Sequence, residues 1–185
     1  MYYIIILLVI LLDQAVKLLV RARLQLKDTH PVIEDLFHIT YYQNPGGAFS
    51  ILEEYTALLI LFPALLSVAI VVFIHMKRHV EPVPVLVALS LIAGGGFGNL
   101  IDRITVVDRV LSLFGGGDGR IESLPFGVVV DFIDFGVFPI FNIADICVCT
   151  GCGLLLLAVI WPARFGGSRI FGMETGGIGS DVENG

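Results

Sequence analysis

Three carboxylates and an asparagine fall in one apolar stretch, Val129 to Asp145. Asp131, Asp134, Asn142 and Asp145 stand there among valine, isoleucine, phenylalanine and proline. Carboxylates beside or inside a bilayer are costly, so they need a partner or a task. Two held close together cannot both ionise easily, and a pair sharing one proton can serve as general acid and general base. Asp131 and Asp145 are read as such a pair. The same residues admit a plainer reading. Asn142 would cap a following helix, and Asp145 would be an acid at its third position, where the helix dipole favours negative charge.

Other polar residues cluster in short runs. Asp13 and Lys17 stand at i and i+4, a spacing that lets them pair on one helix face. Such a pair can carry function or only fix packing, and Lys17, near a helix end, has a stem long enough to reach the interface. Asn44-Pro45-Gly46-Gly47-Ala48-Phe49 is turn chemistry. Its glycines also let a backbone approach a ligand closely, although an ordinary turn accounts for them equally. Asn99, Asp102 and Arg103 share a face at i, i+3 and i+4. Arg103 suits a helix C-terminus whereas Asp102 opposes its dipole, which predicts a second basic partner near Asp102. Cys147, Cys149 and Cys152 invite a metal reading, but the first two are about 200° apart on a helix and do not converge. They are read as small packing residues. His75 and His79 lack a third ligand and are read as part of a polar loop.

The positioning elements follow from composition. Of 185 residues, 56% are hydrophobic and 15% charged, against about 25% charged in an ordinary soluble domain. Mean hydropathy is +0.91, which marks a polytopic membrane protein. A formal charge of −6 and the lack of a basic stripe exclude nucleic acid as a partner. Spans of about 20 apolar residues are predicted over Tyr2–Val20, Tyr55–His75, Val83–Ile101 and Ile143–Trp161. The first has no basic leader and is interrupted by Asp13 and Lys17, so it reads as a retained helix rather than a signal peptide. Between the first two spans, Leu36 to Tyr42 is strand-like. The short connector His75–Pro82 makes the second and third helices antiparallel neighbours. Gly94 and Gly98 form a small-xxx-small pair for close helix approach. Thr105 to Phe126 reads as loop, and the tail from Pro162 as disordered. The expected organisation is a four-helix membrane domain over 1–161 and a flexible tail over 162–185.

Helix parity gathers the polar clusters. The end of helix 1, the start of helix 2, the end of helix 3 and the start of helix 4 share one membrane face. Asp13/Lys17, Asn44–Phe49, Asn99/Asp102/Arg103 and Asp131/Asn142/Asp145 all lie near those ends. Charge does not say which face this is. Arg21, Arg23, Lys27, Arg103, Arg109 and Arg120 lie on the site side, against Lys77, Arg78, Arg164 and Arg169 on the other. The Lys77-Arg78 pair, however, sits in a very short loop, where the positive-inside rule is strongest.

Five motifs in order make the chain resemble the lipoprotein signal peptidases, the bacterial signal peptidase II family. They are Asp13-Gln14-x-x-Lys17, Asn44-x-Gly46-x-Ala48-Phe49, Gly95-x-x-Gly98-Asn99-x-x-Asp102-Arg103, Val130-Asp131-Phe132-Ile133 and Phe141-Asn142-x-Ala144-Asp145. The resemblance implies an all-α membrane protein of four transmembrane helices with a small extracytoplasmic β-rich segment between helices 1 and 2. It implies a monomeric aspartic endopeptidase of the bacterial inner membrane, active on the extracytoplasmic side, with the tail in the cytoplasm. The implied substrates are diacylglyceryl prolipoproteins cut just before the lipidated cysteine, the implied inhibitors globomycin-type peptides, and no cofactor or metal is implied. Asp131 and Asp145 match the catalytic pair. Asn44, Gly46, Asn99, Arg103 and Asn142 match residues that bind substrate or support the site, and Asp13 and Lys17 a pair on helix 1. The chain departs from the family in one place: Arg103 and Asp131 are 28 positions apart, a longer link than the family usually has.

Two other classes use buried polar groups. A proton-coupled transporter would use the carboxylates as a relay, but its site is expected near the midplane between repeats. In a structural subunit they would only join helices.

Overall fold

The apolar runs fold as helices, and the polar segments between them build a small sheet at one end of the bundle. The computed structural model describes residues 1–45, 56–105, 125–165, 169–170 and 173–174. Among the described residues, four helices are long and apolar enough to cross a membrane: α1 (Tyr2–Arg23), α2 (Thr56–Lys77), α3 (Val83–Arg103) and α4 (Ile143–Ile160). α1 runs past the predicted Val20, because Arg21 and Arg23 suit the negative end of its dipole even though they break the apolar pattern. α3 starts after Pro82, with Pro84 in its first turn, where a missing amide hydrogen is harmless. Leu7, Leu8, Leu11, Leu12, Leu61, Leu65 and Leu156 point outward, as suits helices whose outer solvent is hydrocarbon.

Small residues set the helix spacing. A Cβ at Gly94 would lie 2.9 Å from Val9 Cβ of α1, so the small-xxx-small pair does face a neighbouring helix. The closer approach is between α3 and α4. A Cβ at Gly95 would strike the Ala144 carbonyl oxygen, and one at Gly151 would sit 2.6 Å from the Ala88 carbonyl oxygen. Away from the sheet, Ile6, Ile70, Ile74, Val85, Leu86, Leu89, Ile92, Ala93 and Ala158 form the main apolar core.

The sheet has three antiparallel strands in the order β1 (Thr29–Ile33), β2 (Phe37–Asn44), β3 (Val129–Asp134). The strand-like reading of Leu36 to Tyr42 falls on β2. The sheet extends beyond the segment between helices 1 and 2, since its third strand comes from just before α4. β1 is an exposed edge and carries Pro31, which only an edge tolerates. In β3, Val130 and Phe132 pack with Val20 and Tyr41. Because side chains alternate along a strand, Asp131 between them points to the other face. Tyr42 pairs with Asp131 and Asn44 with Val129, so Asn44 and Asp131 are diagonal neighbours on that face. In the tail, a 3₁₀ turn covers Pro162–Arg164, and the short strands β4 (Arg169–Ile170) and β5 (Met173–Glu174) pair antiparallel.

Candidate active site

Asp131 reaches the site from β3 and Asp145 from the first turn of α4. Asn142 joins them. It is the N-cap of α4: its side-chain oxygen accepts from the Asp145 amide at 3.0 Å, while Asp145 Oδ2 accepts from the Asn142 amide at 3.1 Å. This reciprocal capping box is the plainer reading of the motif, and it is correct as far as it goes. The remaining Asn142 hydrogens do something else. Its Nδ2 donates to Asp131 Oδ1 at 2.6 Å and to Asn99 Oδ1 at 3.0 Å. One residue therefore caps the start of the helix and touches both aspartates.

Each aspartate has a further amide donor. Asn44 Nδ2 donates to Asp131 Oδ2 at 2.8 Å, and Asn99 Nδ2 to Asp145 Oδ1 at 2.8 Å. Asp131 is 1% exposed. Its burial, and next the charge of Asp145, push its carboxyl up to about 7, against the opposing pull of the Asn44 and Asn142 amides and of Lys17. Desolvation and a like charge thus outweigh two hydrogen bonds that favour the ionised form. Asp145 is half-buried and sits where the free amides of a helix start favour negative charge.

A cavity of about 290 Å³ opens onto the pair, lined by Asn44, Asn99, Arg103, Asp131, Pro139, Ile140, Phe141, Asp145 and Cys149. A second, more apolar cavity of about 300 Å³ lies between α2, α3 and α4. It is lined by Leu59, Phe62, Pro63 and Ile92 among others, and it shares Asn99, Arg103, Asp145 and Cys149 with the first. Arg103 also fixes the entry to β3, its Nη1 donating to the Gly127 carbonyl at 2.5 Å.

The other predicted residues lie just behind. Lys17 pairs with Asp13 and with Asp102, each at 2.8 Å. Lys17 is therefore the basic partner that the dipole argument required for Asp102. Its stem does not extend to the interface: Lys17 is 2% exposed, because two carboxylates hold it inside. Gly46 lies outside the described residues, as do Gly47–Phe49 and most of the link from Thr105 to Phe126. Two residues named from sequence were not placed at the site by it. Gln14 Nε2 donates to Asp102 Oδ1 at 2.9 Å and to the Gly98 carbonyl at 3.0 Å; its place inside the Asp13–Lys17 run was the available signal. Cys149 lines both cavities and is exposed, as is Cys152, while Cys147 is half-buried. These cysteines therefore face cavity or lipid more than packed core, because α4 meets α3 along Ala144 and Gly151 instead. Among the described residues, no three His, Cys, Asp or Glu side chains converge as metal ligands.

Known proteins agree with this architecture. The sequence profile of a family described as signal peptidase (SPase) II matches residues 5–161. A lipoprotein signal peptidase from Halothermothrix orenii is 39% identical over 157 residues, covering 85% of this chain and 93% of the relative. One from Moorella thermoacetica is 35% identical over 159 residues, covering 85% and 91%. A bacterial membrane enzyme solved by the in meso method at 2.3 Å superposes with a TM-score of 0.69 at 27% identity, covering 91% of this chain and 93% of that one. A transporter finds no support here: the carboxylates sit at the sheet end of the bundle, and the relatives are peptidases. With four helices apolar enough to cross a bilayer and a family match over most of its length, the chain is a multi-pass membrane protease of the signal peptidase II family.

Proposed function

We propose that the protein removes signal peptides from prolipoproteins by an aspartic mechanism, with Asp131 and Asp145 as the catalytic pair. The relatives' names support the substrate class. One observation carries the mechanism: two aspartates from separate elements line one cavity, and a single asparagine contacts both. At working pH the pair holds one proton, and its titration belongs to both groups together. The ionised carboxylate takes a proton from a water that attacks the scissile carbonyl. The protonated one donates to the carbonyl oxygen. As the tetrahedral intermediate collapses, the first carboxyl passes the proton it took from water to the leaving amine. The second recovers a proton from the intermediate's hydroxyl, which restores the pair. Asn44, Asn99 and Asn142 hold the carboxylates, and Arg103, on the cavity wall, stabilises developing negative charge. The adjoining apolar cavity accommodates hydrocarbon, which suits a diacylglyceryl prolipoprotein cut just before its lipidated cysteine. Globomycin-type peptides would compete for the same cavity. All these side chains come from one chain, so a monomer suffices, and no metal or cofactor is needed.

The test is release of signal peptide from a purified, lipidated prolipoprotein, followed from about pH 5 to about pH 9. Asp131 is raised to about 7, so the shared proton is present below that pH and leaves above it. The expected kcat/KM is therefore high at and below neutrality and falls on the alkaline side. A rate still climbing at about pH 9, as a deprotonated lysine base would give, would sink the aspartic reading.

We also place the site on the extracytoplasmic face of the inner membrane, with both termini, including the 162–185 tail, in the cytoplasm. The parity of four spans and the family resemblance support this. An alkaline phosphatase fusion near Gly115 is then active and a cytoplasm-dependent reporter at the same point silent. The reverse pattern would invert the topology.

A further inference from the structure

Behind the two aspartates lies a closed ionic cluster whose every polar atom is directed. Lys17 Nζ has three hydrogens and three acceptors: Asp13 Oδ2 and Asp102 Oδ2 at 2.8 Å each, and Asn99 Oδ1 at 3.0 Å. An ammonium donates and cannot accept. The Asn99 atom facing it must therefore be the oxygen, which leaves the Asn99 amide nitrogen to donate to Asp145. The same oxygen accepts from Asn142 Nδ2. That settles the Asn142 amide too, with its nitrogen toward Asp131 and its oxygen toward the Asp145 backbone. Reverse the Asn99 amide and two donors would meet at Lys17, while an oxygen would face the Asp145 carboxylate.

The two carboxylates of the cluster reach the backbone on either side. Asp13 Oδ1 accepts from the Ala144 amide at 3.0 Å, next to Asp145. Asp102 Oδ2 accepts from the Val130 amide at 3.1 Å, next to Asp131. Gly98 leaves the space this needs, since a Cβ there would lie 2.8 Å from Asp13 Oδ2. A buried ion pair is weak evidence for stabilisation, because desolvation offsets most of the attraction. Simple helix joining thus accounts poorly for a cluster that bonds Asn99 and the backbone amides beside both aspartates.

We infer that Lys17 is a positioning residue, which fixes the polarity of the Asn99–Asn142 amide chain and so presents donors, never acceptors, to both aspartates. The inference rests on the aspartic reading above. Loss of Lys17 leaves the reacting groups in place but free to misalign, and misplacement of about 1 Å can cost about 100-fold in rate. It also removes a cation from the surroundings of Asp131, which otherwise has Asp145 on α4 and Arg103 on α3 as charged neighbours, while Asp102 of α3 binds the adjacent Val130 amide. The proton is then held to higher pH.

The test uses full-length protein and the prolipoprotein cleavage assay, with Lys17→Met and Lys17→Arg in wild-type and Asn99→Ala backgrounds. The expected result is a kcat about 100-fold lower for Lys17→Met with KM changed by less than about threefold, and an alkaline limb moved upward. Lys17→Arg, which keeps the charge and donors, recovers at least about tenfold of the loss. In Asn99→Ala the two variants converge in kcat below the alkaline limb, because the part of the effect that acts through Asn99 is gone, and only the shift of the limb, which acts on Asp131 directly, remains. A folded Lys17→Met with wild-type kcat and pH profile overturns the inference, and so does a Met–Arg difference as large without Asn99 as with it. If Lys17→Met does not fold, Lys17→Gln replaces it under the same criteria. Failure here leaves the aspartic reading standing; that reading fails separately, if Asp131→Asn and Asp145→Asn still permit cleavage.

Discussion

Asp131→Asn and Asp145→Asn are each expected to lower signal-peptide release by about 10⁴-fold while the protein still inserts and folds. Asparagine keeps the shape and most of the hydrogen bonding of aspartate but cannot share a titrating proton. At 131 the Asn44 and Asn142 donors would meet one remaining acceptor oxygen, so some local rearrangement accompanies the loss. The double variant should be little worse than either single one, because residues that act as one catalytic unit are strongly non-additive. Asp134→Asn is the internal control, three residues away on the same strand. Asp134 Oδ2 accepts from Thr40 Oγ1 and its Oδ1 from the Gly136 amide, both at 2.8 Å. An Asn oxygen can still serve Gly136, and the Thr40 hydroxyl can turn to accept. The expected loss is about threefold or less, the weight of one rearranged hydrogen bond. An inactive Asp134→Asn beside an active Asp131→Asn would mean that the wrong carboxylate has been assigned.

Gly95→Val is expected to be as damaging, by a different route. A Cβ at Gly95 would strike the Ala144 carbonyl oxygen and sit 2.8 Å from Val148 Cγ2. Backbone cannot step aside as a side-chain tip can, so α4 must move away from α3. That motion pulls Ala144 from Asp13 and Asp145 from Asn99, bonds of 3.0 and 2.8 Å. Overpacking of this kind costs about 1–3 kcal/mol, more where nothing yields. Thermal unfolding in detergent should show a clearly lowered midpoint and the cleavage assay little or no activity. Gly153→Ala on the same pair of helices meets nothing within 4 Å. It should be neutral or slightly stabilising, since alanine is the better helix former by about 1 kcal/mol. Equal stability of the Gly95 and Gly153 variants would show that the close approach is not what holds the two helices.

The spans were legible because hydropathy alone specifies them, and their ends were less so. α1 continues through Arg21 and Arg23, where charge hides the helix from an apolar count. β3 was not legible, and β1 was legible only as part of the β-rich segment that the family resemblance implies between helices 1 and 2. β1 is exposed along its whole length and shows no alternation. β3 is buried on both faces over Val129–Phe132, so no period of two appears, and its partner β2 is far away in the sequence. The candidate site was legible as residue types, since carboxylates and amides are rare in such a chain. The Asp102 partner could be argued from the dipole, but its identity as Lys17 depends on α1 and α3 lying side by side. The burial of Lys17 likewise depends on carboxylates from two helices, which the spacing within one helix cannot reveal.

The position of Asn142 has a developmental consequence. Its backbone starts α4 and its side chain closes the amide chain to Asp131, whose own strand pairs with a segment before α2. The two aspartates share one short stretch of sequence, but the amides that hold them, Asn44 and Asn99, come from β2 and α3. Because Asn142 and Asp145 stand at the start of α4, the arrangement around the aspartates is complete only once that helix has docked against α3 and β3.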